Sequence, residues 1–212
     1  MDTLQALSLA MGAAWTSGIN LYATVAALGI AGRVQMIQLP ADLEVLTHPA
    51  VIAVACVMYL IEFFADKVPY VDNGWDVIHT FIRVPAGAIL AARSLGDLNP
   101  ALELAALLAG GTVALAAHGT KTATRLALNV SPEPFSNWFA SLTEDLVVLG
   151  SIWMIFHHPL LMLILVVGFL TLIAWLLPKL WRMARRGFQA LRDRMRGVKP
   201  DQPAPNGSPQ PS

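Results

Sequence analysis

The sequence predicts an all-α membrane protein of about six transmembrane helices. It also predicts a duplicated polar helical hairpin and a C-terminal basic amphipathic helix. Three observations carry this. Of the 212 residues 56% are hydrophobic and only 13% are charged, against roughly 25% charged in a soluble domain. The apolar residues are gathered into runs of membrane-spanning length, separated by short polar junctions that contain proline. Acidic and basic residues recur inside those runs at helical spacing. With a mean hydropathy of +0.58, these features exclude an ordinary soluble enzyme domain, a disordered chain and a nucleic-acid binder.

The first apolar run extends from Leu4 to Gly32. As a helix it would measure roughly 43 Å, more than a hydrocarbon core of about 30 Å. Its centre reads Thr16-Ser17-Gly18-Ile19-Asn20. Such residues fit either a break or a close helix contact within one long tilted helix. No Lys or Arg precedes Arg33, so a cleavable signal with a basic start is not expected. The single cysteine, Cys56, can form no intrachain disulfide.

Arg33 to Thr47 is a more polar connector, and Pro49 opens a second helix through Phe64. A polar junction, Asp66 to Asp72, leads to a third helix from about Gly74 to Ala92, in which Pro85 and Gly87 predict a kink. The fourth runs from Pro100 to about Asn129, and a second junction covers Ser131 to Asn137. The fifth spans Trp138 to Phe156 and ends at His157-His158-Pro159, a helix-ending loop rather than a ligand pair. The sixth, Leu160 to Leu177, contains no charge.

After Pro178, Trp181, Ala184, Phe188, Leu191 and Met195 form an apolar stripe, with Arg182, Arg185, Arg186, Arg192 and Arg196 off it. This is the pattern of a helix resting on an anionic membrane surface; a plain extension of helix six is the alternative. The expected organisation is thus a transmembrane domain over 1–178, with hairpins at about 49–93 and 100–157. A basic amphipathic cytoplasmic helix over 179–198 and a disordered tail over 199–212 follow. The first 178 residues carry a net charge of −6 and the remainder +6. The basic end is therefore expected in the cytoplasm. Arg33 and Arg93 would then face outward, mildly against the rule.

The charges inside the apolar runs fall into two similar ladders. Helix two ends with Glu62, Asp66 and Pro69, and helix four with Arg125, Asn129 and Pro132. Helix three carries Asp72, Asp76, His79 and Arg83, and helix five Asn137, Ser141 and Glu144, each set at steps of three and four. Counted from the turns, Glu62 matches His79 in depth, and Arg125 matches Glu144. We read this as a duplicated hairpin whose polar faces meet inside the bundle, against the alternative of coincidence near helix ends.

Charged groups within a membrane are costly and usually face an interior or a wet cavity. The expected binding set is Asn20, Glu62, Asp66, Asp76, His79, Arg83, Lys121, Arg125, Asn129, Asn137, Ser141, Glu144 and Asp145. The alternative is a set of neutralising ion pairs that fixes helix register. His118, Lys121 and Arg125 share a helix end, which tilts the expected solute toward an anion. His79 could change charge near neutral pH, as proton coupling requires. Asp66, Asp72 and Asp76 could together hold a metal in a phospho-lipid enzyme, although their spacing matches no metal signature. No Gly-rich phosphate loop, nucleophile elbow or HExxH motif occurs.

Three stretches together resemble a bacterial integral-membrane family described as domain of unknown function 4126. They are Ser17 to Thr24; Glu62 to Arg83 with Pro85-Ala86-Gly87-Ala88; and Ser131 to Asn137 with Ser141 and Glu144-Asp145. The resemblance covers roughly residues 3 to 175. It implies a helical protein of the bacterial inner membrane and no reaction. The expected function is a small transporter or channel-like protein that binds a polar or anionic solute, or a lipid headgroup, between the hairpins. A metal-dependent membrane enzyme and a structural or assembly factor are the alternatives. No nucleic-acid partner is expected, the cofactor is unspecified, and a homodimer would suit so small a bundle.

Overall fold

The computed structural model describes residues 1–129 and 134–195. Among these the architecture is all-α. The elements are α1 (Thr3–Arg33), a 3-10 helix (Ala41–Thr47), α2 (Pro49–Ala65), α3 (Pro69–Ser94), α4 (Pro100–Asn129), α5 (Pro134–His157) and α6 (Pro159–Met195). Five of the six α-helices begin on a proline, where the missing N–H removes no intrahelical bond. Side chains satisfy other free N–H groups at the starts. Asp2 accepts from Gln5 N at 2.7 Å, His48 from Ala50 N at 3.2 Å and Asn99 from Leu102 N at 3.0 Å.

Helix existence follows the sequence, and several boundaries do not. α3 starts at Pro69 rather than Gly74, and α5 at Pro134 rather than Trp138. In both cases the end of the expected junction, through Asp72 in the first and through Asn137 in the second, belongs to the first helical turns behind a proline. Pro85 lies inside α3, which continues to Ser94. Pro178 likewise lies inside α6, so the expected boundary there is replaced by one helix from Pro159 to Met195. A helical proline forfeits one hydrogen bond, and the remaining ladder carries the helix through both positions.

The chain divides into two units, Met1–Leu170 and Thr171–Ser212, and α6 runs from the first into the second. In the first unit α1 is the hub, packed against α2, α3, α4, α5 and the 3-10 helix. It is broken at its centre, because Asn20 adopts the extended pair φ −147°, ψ 99°. The Asn20 side-chain oxygen accepts from Ala23 N at 3.0 Å, so it caps the second half as a helix start. Small residues allow the hub to be crowded. A Cβ on Gly18 would collide with the Ala114 carbonyl of α4. One on Gly87 of α3 would stand 2.7 Å from Ser17 Oγ and 2.5 Å from Ala114 Cβ.

The distribution of side chains is inverted relative to a soluble protein. Arg83, Arg125 and Glu62 are fully buried, whereas Phe135 is 84% exposed, Phe81 79% and Leu146 70%. An apolar exterior around a charged interior is stable in lipid and not in water. Among the described residues three helical segments are long and apolar enough to cross a membrane: Pro100–Leu128, Phe135–His157 and Pro159–Lys179. The 3-10 helix and α2, bent by 64°, make a fourth if taken as one broken span. Length and composition thus support a multi-pass membrane protein with three to four candidate spans, fewer than the six expected. The break at Asn20 leaves neither half of α1 long enough. In α3, His79, Arg83 and Arg93 dilute the apolar residues.

In the second unit, Lys179 Nζ lies 3.0 Å above the Trp175 ring, and the Arg185 guanidinium 5.1 Å from the Trp181 ring. Arg182 and Arg185 are exposed. The side chains of Arg186 and Arg192, those of Ala184, Phe188, Leu191 and Met195, all of Arg196 and the tail lie outside the described residues.

Candidate functional site

The helical spacing that places charges on single faces also brings those faces together. Glu62 and Asp66 at the end of α2, Asp76 and Arg83 on α3, Lys121 and Arg125 on α4 and Glu144 on α5 form one connected network of ion pairs. Within the first hairpin Arg83 Nη2 pairs with Glu62, and its Nη1 lies 3.6 Å from Asp76. Within the second, Arg125 holds Glu144 bidentately, Nη2 at 2.8 Å and Nε at 3.0 Å. Lys121 joins the hairpins, at 3.1 Å from Glu62, 3.4 Å from Asp66 and 3.2 Å from Glu144. Arg125 crosses between them as well, reaching Asp66 Oδ2 at 3.1 Å and donating to the Asp66 and Asn137 carbonyls at 3.3 Å.

Four carboxylates therefore face three cations across these pairs. The side chains are nearly all buried, Glu144 being the most open at 16%. In a low-dielectric interior each charge would be prohibitive alone, and the mutual pairing makes the set tolerable. Glu62 Oε2, Asp66 Oδ1 and Arg83 Nε are buried without a hydrogen-bond partner among the described residues.

Two histidines border the network with their protons fixed by their neighbours. His118 Nδ1 lies 3.1 Å from Arg83 Nη1; a guanidinium only donates, so Nδ1 accepts. The proton then sits on Nε2, which faces the Asp76 carbonyl at 3.1 Å and Thr80 Oγ1 at 2.8 Å. His79 is the opposite tautomer. Its Nδ1–H donates to the Trp75 carbonyl at 2.8 Å, leaving Nε2 for the Tyr22 hydroxyl at 3.0 Å. In the structure Glu62 pairs with Arg83, one turn further along α3 than the depth-matched His79.

The remaining expected residues are distributed as follows. Ser141 and Asn137 are buried on α5. Asn20 and Asp145 stand beside the network rather than in it, with Asn20 Nδ2 at 3.4 Å from Asp145 Oδ1. The Tyr59 hydroxyl donates to Asp145 Oδ2 at 2.7 Å. The side chains of Asn129 and Asp72, and the Ser131–Glu133 part of the second junction, lie outside the described residues. Among the described residues no group of three or more His, Cys, Asp or Glu side chains is arranged to hold a metal. Asp66 is already engaged by Lys121 and Arg125.

Among the described residues, two cavities that flank this core differ in character. One, of about 430 Å³, lies between α1, α4 and α5; Lys121, Glu144, Thr120, Thr124 and Thr143 are among its lining residues. The other, of about 670 Å³, is largely apolar and lies between α1, α2 and α5, with Asp145 and Tyr59 in its wall.

Tyr22, Tyr59, Thr80, His118 and Thr122 join the polar interior without belonging to the expected binding set. Two of them carry a sequence signal. Tyr59-Glu62-Asp66 and His118-Lys121-Arg125 both step by three and four, which places each on its helix's charged face. Tyr22 and Thr80 carry none, because only tertiary packing brings them to a histidine.

The profile of the family described as domain of unknown function 4126 matches residues 7–179. The chain belongs to that family. No curated protein and no solved structure matches it.

Proposed function

From this family membership, which brings no activity with it, we propose that the protein is a small transporter or channel-like protein of the bacterial inner membrane. It binds a polar solute or lipid headgroup against the buried charge network. One observation carries the reading: the 430 Å³ cavity between α1, α4 and α5 reaches Lys121 and Glu144, two members of the network. The solute therefore meets charges that are already fixed in place, and the protein needs no reorganisation to receive it. Glu144 is the network's most open group, and Lys121 is held by three carboxylates. A solute with hydrogen-bond donors or positive charge thus fits better than the anion that the basic residues alone favour. The buried partnerless atoms Glu62 Oε2 and Asp66 Oδ1 offer further acceptors for protons or water. His79 is the residue assigned to proton coupling in this reading.

The six-crossing count and the duplicated hairpin belong to the same proposal. The exchanged signs of the Glu62–Arg83 and Arg125–Glu144 pairs, one in each hairpin, support the duplication. The C-terminus is placed in the cytoplasm, with Arg182 and Arg185 toward anionic lipid. A homodimer is part of the reading.

The test is ion flux in proteoliposomes, read with pH- and potential-sensitive dyes. Wild-type protein is expected to conduct, and Glu144→Gln to lower the flux by about tenfold. Absence of flux, or equal flux in Glu144→Gln and His79→Ala, overturns the reading. A second reading, a structural or assembly protein, is favoured by the pairing of all three network cations with carboxylates. Under it, single charge removals lower yield and folding while leaving no flux to lose.

A further inference from the structure

The second cavity differs from the first in chemistry and in side. It lies between the second half of α1, α2 and α5, and has a volume of about 670 Å³. That is within the range of sites for drug-sized ligands, about 300–1,000 Å³. Its walls are mainly apolar: Ala23, Ala27 and Ile30 from α1, and Leu149, Ile152 and Trp153 from α5. One carboxylate, Asp145, sits in this wall. Tyr59 donates to one of its oxygens at 2.7 Å and Asn20 approaches the other at 3.4 Å. Among the described residues no Lys or Arg makes an ion pair with it, whereas its neighbour Glu144 is paired with both Lys121 and Arg125.

This carboxylate, oriented by two neutral donors at the wall of an apolar cleft, has no cation in contact with it among the described residues. Within a membrane a cation supplied by a ligand gains more than it would in water, because the dielectric is low and competing ions are excluded. Trp153, two turns further along α5 and stacked on His157, adds apolar wall for the body of the ligand. A neutral lipid tail would fill the walls and leave Asp145 unanswered, and an anion would be repelled. We propose that this cleft is a binding site for a lipophilic monovalent cation, an organic ammonium or phosphonium carried on an apolar body, with its charge at Asp145. The site is separate from the cavity at Lys121 and Glu144 and does not depend on transport.

Equilibrium binding of tritiated tetraphenylphosphonium tests this, using the full chain in phosphatidylcholine nanodiscs with empty discs subtracted. Saturable binding of one cation per chain is expected. Asp145→Asn should weaken it by about tenfold or more, and Glu103→Gln, in the first turn of α4 and outside both cavities, should leave it within about twofold. Ala27→Trp, which fills the cleft with Asp145 intact, should abolish it. Tetraphenylborate, of the same shape and opposite charge, should not compete. Equal affinity in folded Asp145→Asn, or competition by tetraphenylborate, overturns the proposal. If Asp145→Asn is not recovered monodisperse, unchanged binding in Ala27→Trp overturns it. Phospholipid retained at one per chain with no saturable probe binding also overturns it, in favour of a lipid site.

Discussion

Replacing Arg125 by Met removes the most heavily used cation in the bundle. Among the described residues its guanidinium donates to Glu144 twice, to Asp66 Oδ2 and to two backbone carbonyls. Without it, Lys121 is the one cation left to Asp66 and Glu144 among the described residues, at 3.4 and 3.2 Å, and it must also serve Glu62. Breaking a buried pair by removing one partner costs about 3–5 kcal/mol, since the other charge stays behind. Arg125→Met should therefore lose about 3–5 kcal/mol of unfolding free energy, measured by denaturant titration in bicelles with tryptophan fluorescence. Adding Glu144→Gln removes one of the stranded charges, so the double variant should be more stable than the sum of its parts, by about 1 kcal/mol or more. Arg125→Lys should fall between, because an ammonium keeps the charge and loses the planar fork. A single variant within about 1 kcal/mol of wild type, or strictly additive effects, would refute a tightly coupled buried network.

Other expectations follow from the same contacts. Asn20→Leu removes the cap on Ala23 N and should cost about 1 kcal/mol, read as a lower melting temperature in detergent. Gly18→Val drives a side chain into the Ala114 carbonyl, a backbone atom that cannot swing aside. It should cost about 1–3 kcal/mol or abolish folding, whereas Gly119→Ala, where a Cβ meets nothing within 4 Å, should be neutral in the same melt. His118→Phe deprives Arg83 Nη1 of an acceptor and should cost about 1–3 kcal/mol in the bicelle titration. Tyr59→Phe strips Asp145 of its shorter hydrogen bond and should weaken tetraphenylphosphonium binding severalfold if the donor orients the carboxylate.

Much of this molecule is legible from local patterns. Helix starts at Pro49, Pro100 and after His158 are set by proline chemistry within a single turn. Charges stepping by three and four must share a helix face whatever surrounds the helix. The segment Thr16–Asn20 fits either a break or a close helix contact, and Asn20's own side chain decides for the break by capping the residue three ahead. By contrast, the sequence pattern places His79 at the depth of Glu62, yet Arg83 makes the pair. The longer, forked side chain reaches across, while the imidazole turns to Trp75 and Tyr22. Likewise the basic face of α4 reads as an anion site in isolation, and becomes neutralised once α2 and α5 pack against it.

By itself, the sequence determined the helical class, the apolar surface suited to lipid, the family and the identity of most polar interior residues, since composition and 3.6-residue periodicity are properties of each segment alone. Tertiary structure alone decided which charges meet, which histidine nitrogen bears the proton, and why Glu144 is paired while adjacent Asp145 faces an apolar cleft. Neighbours in sequence point about 100° apart around a helix, and only the packing of the other helices assigns each direction its surroundings.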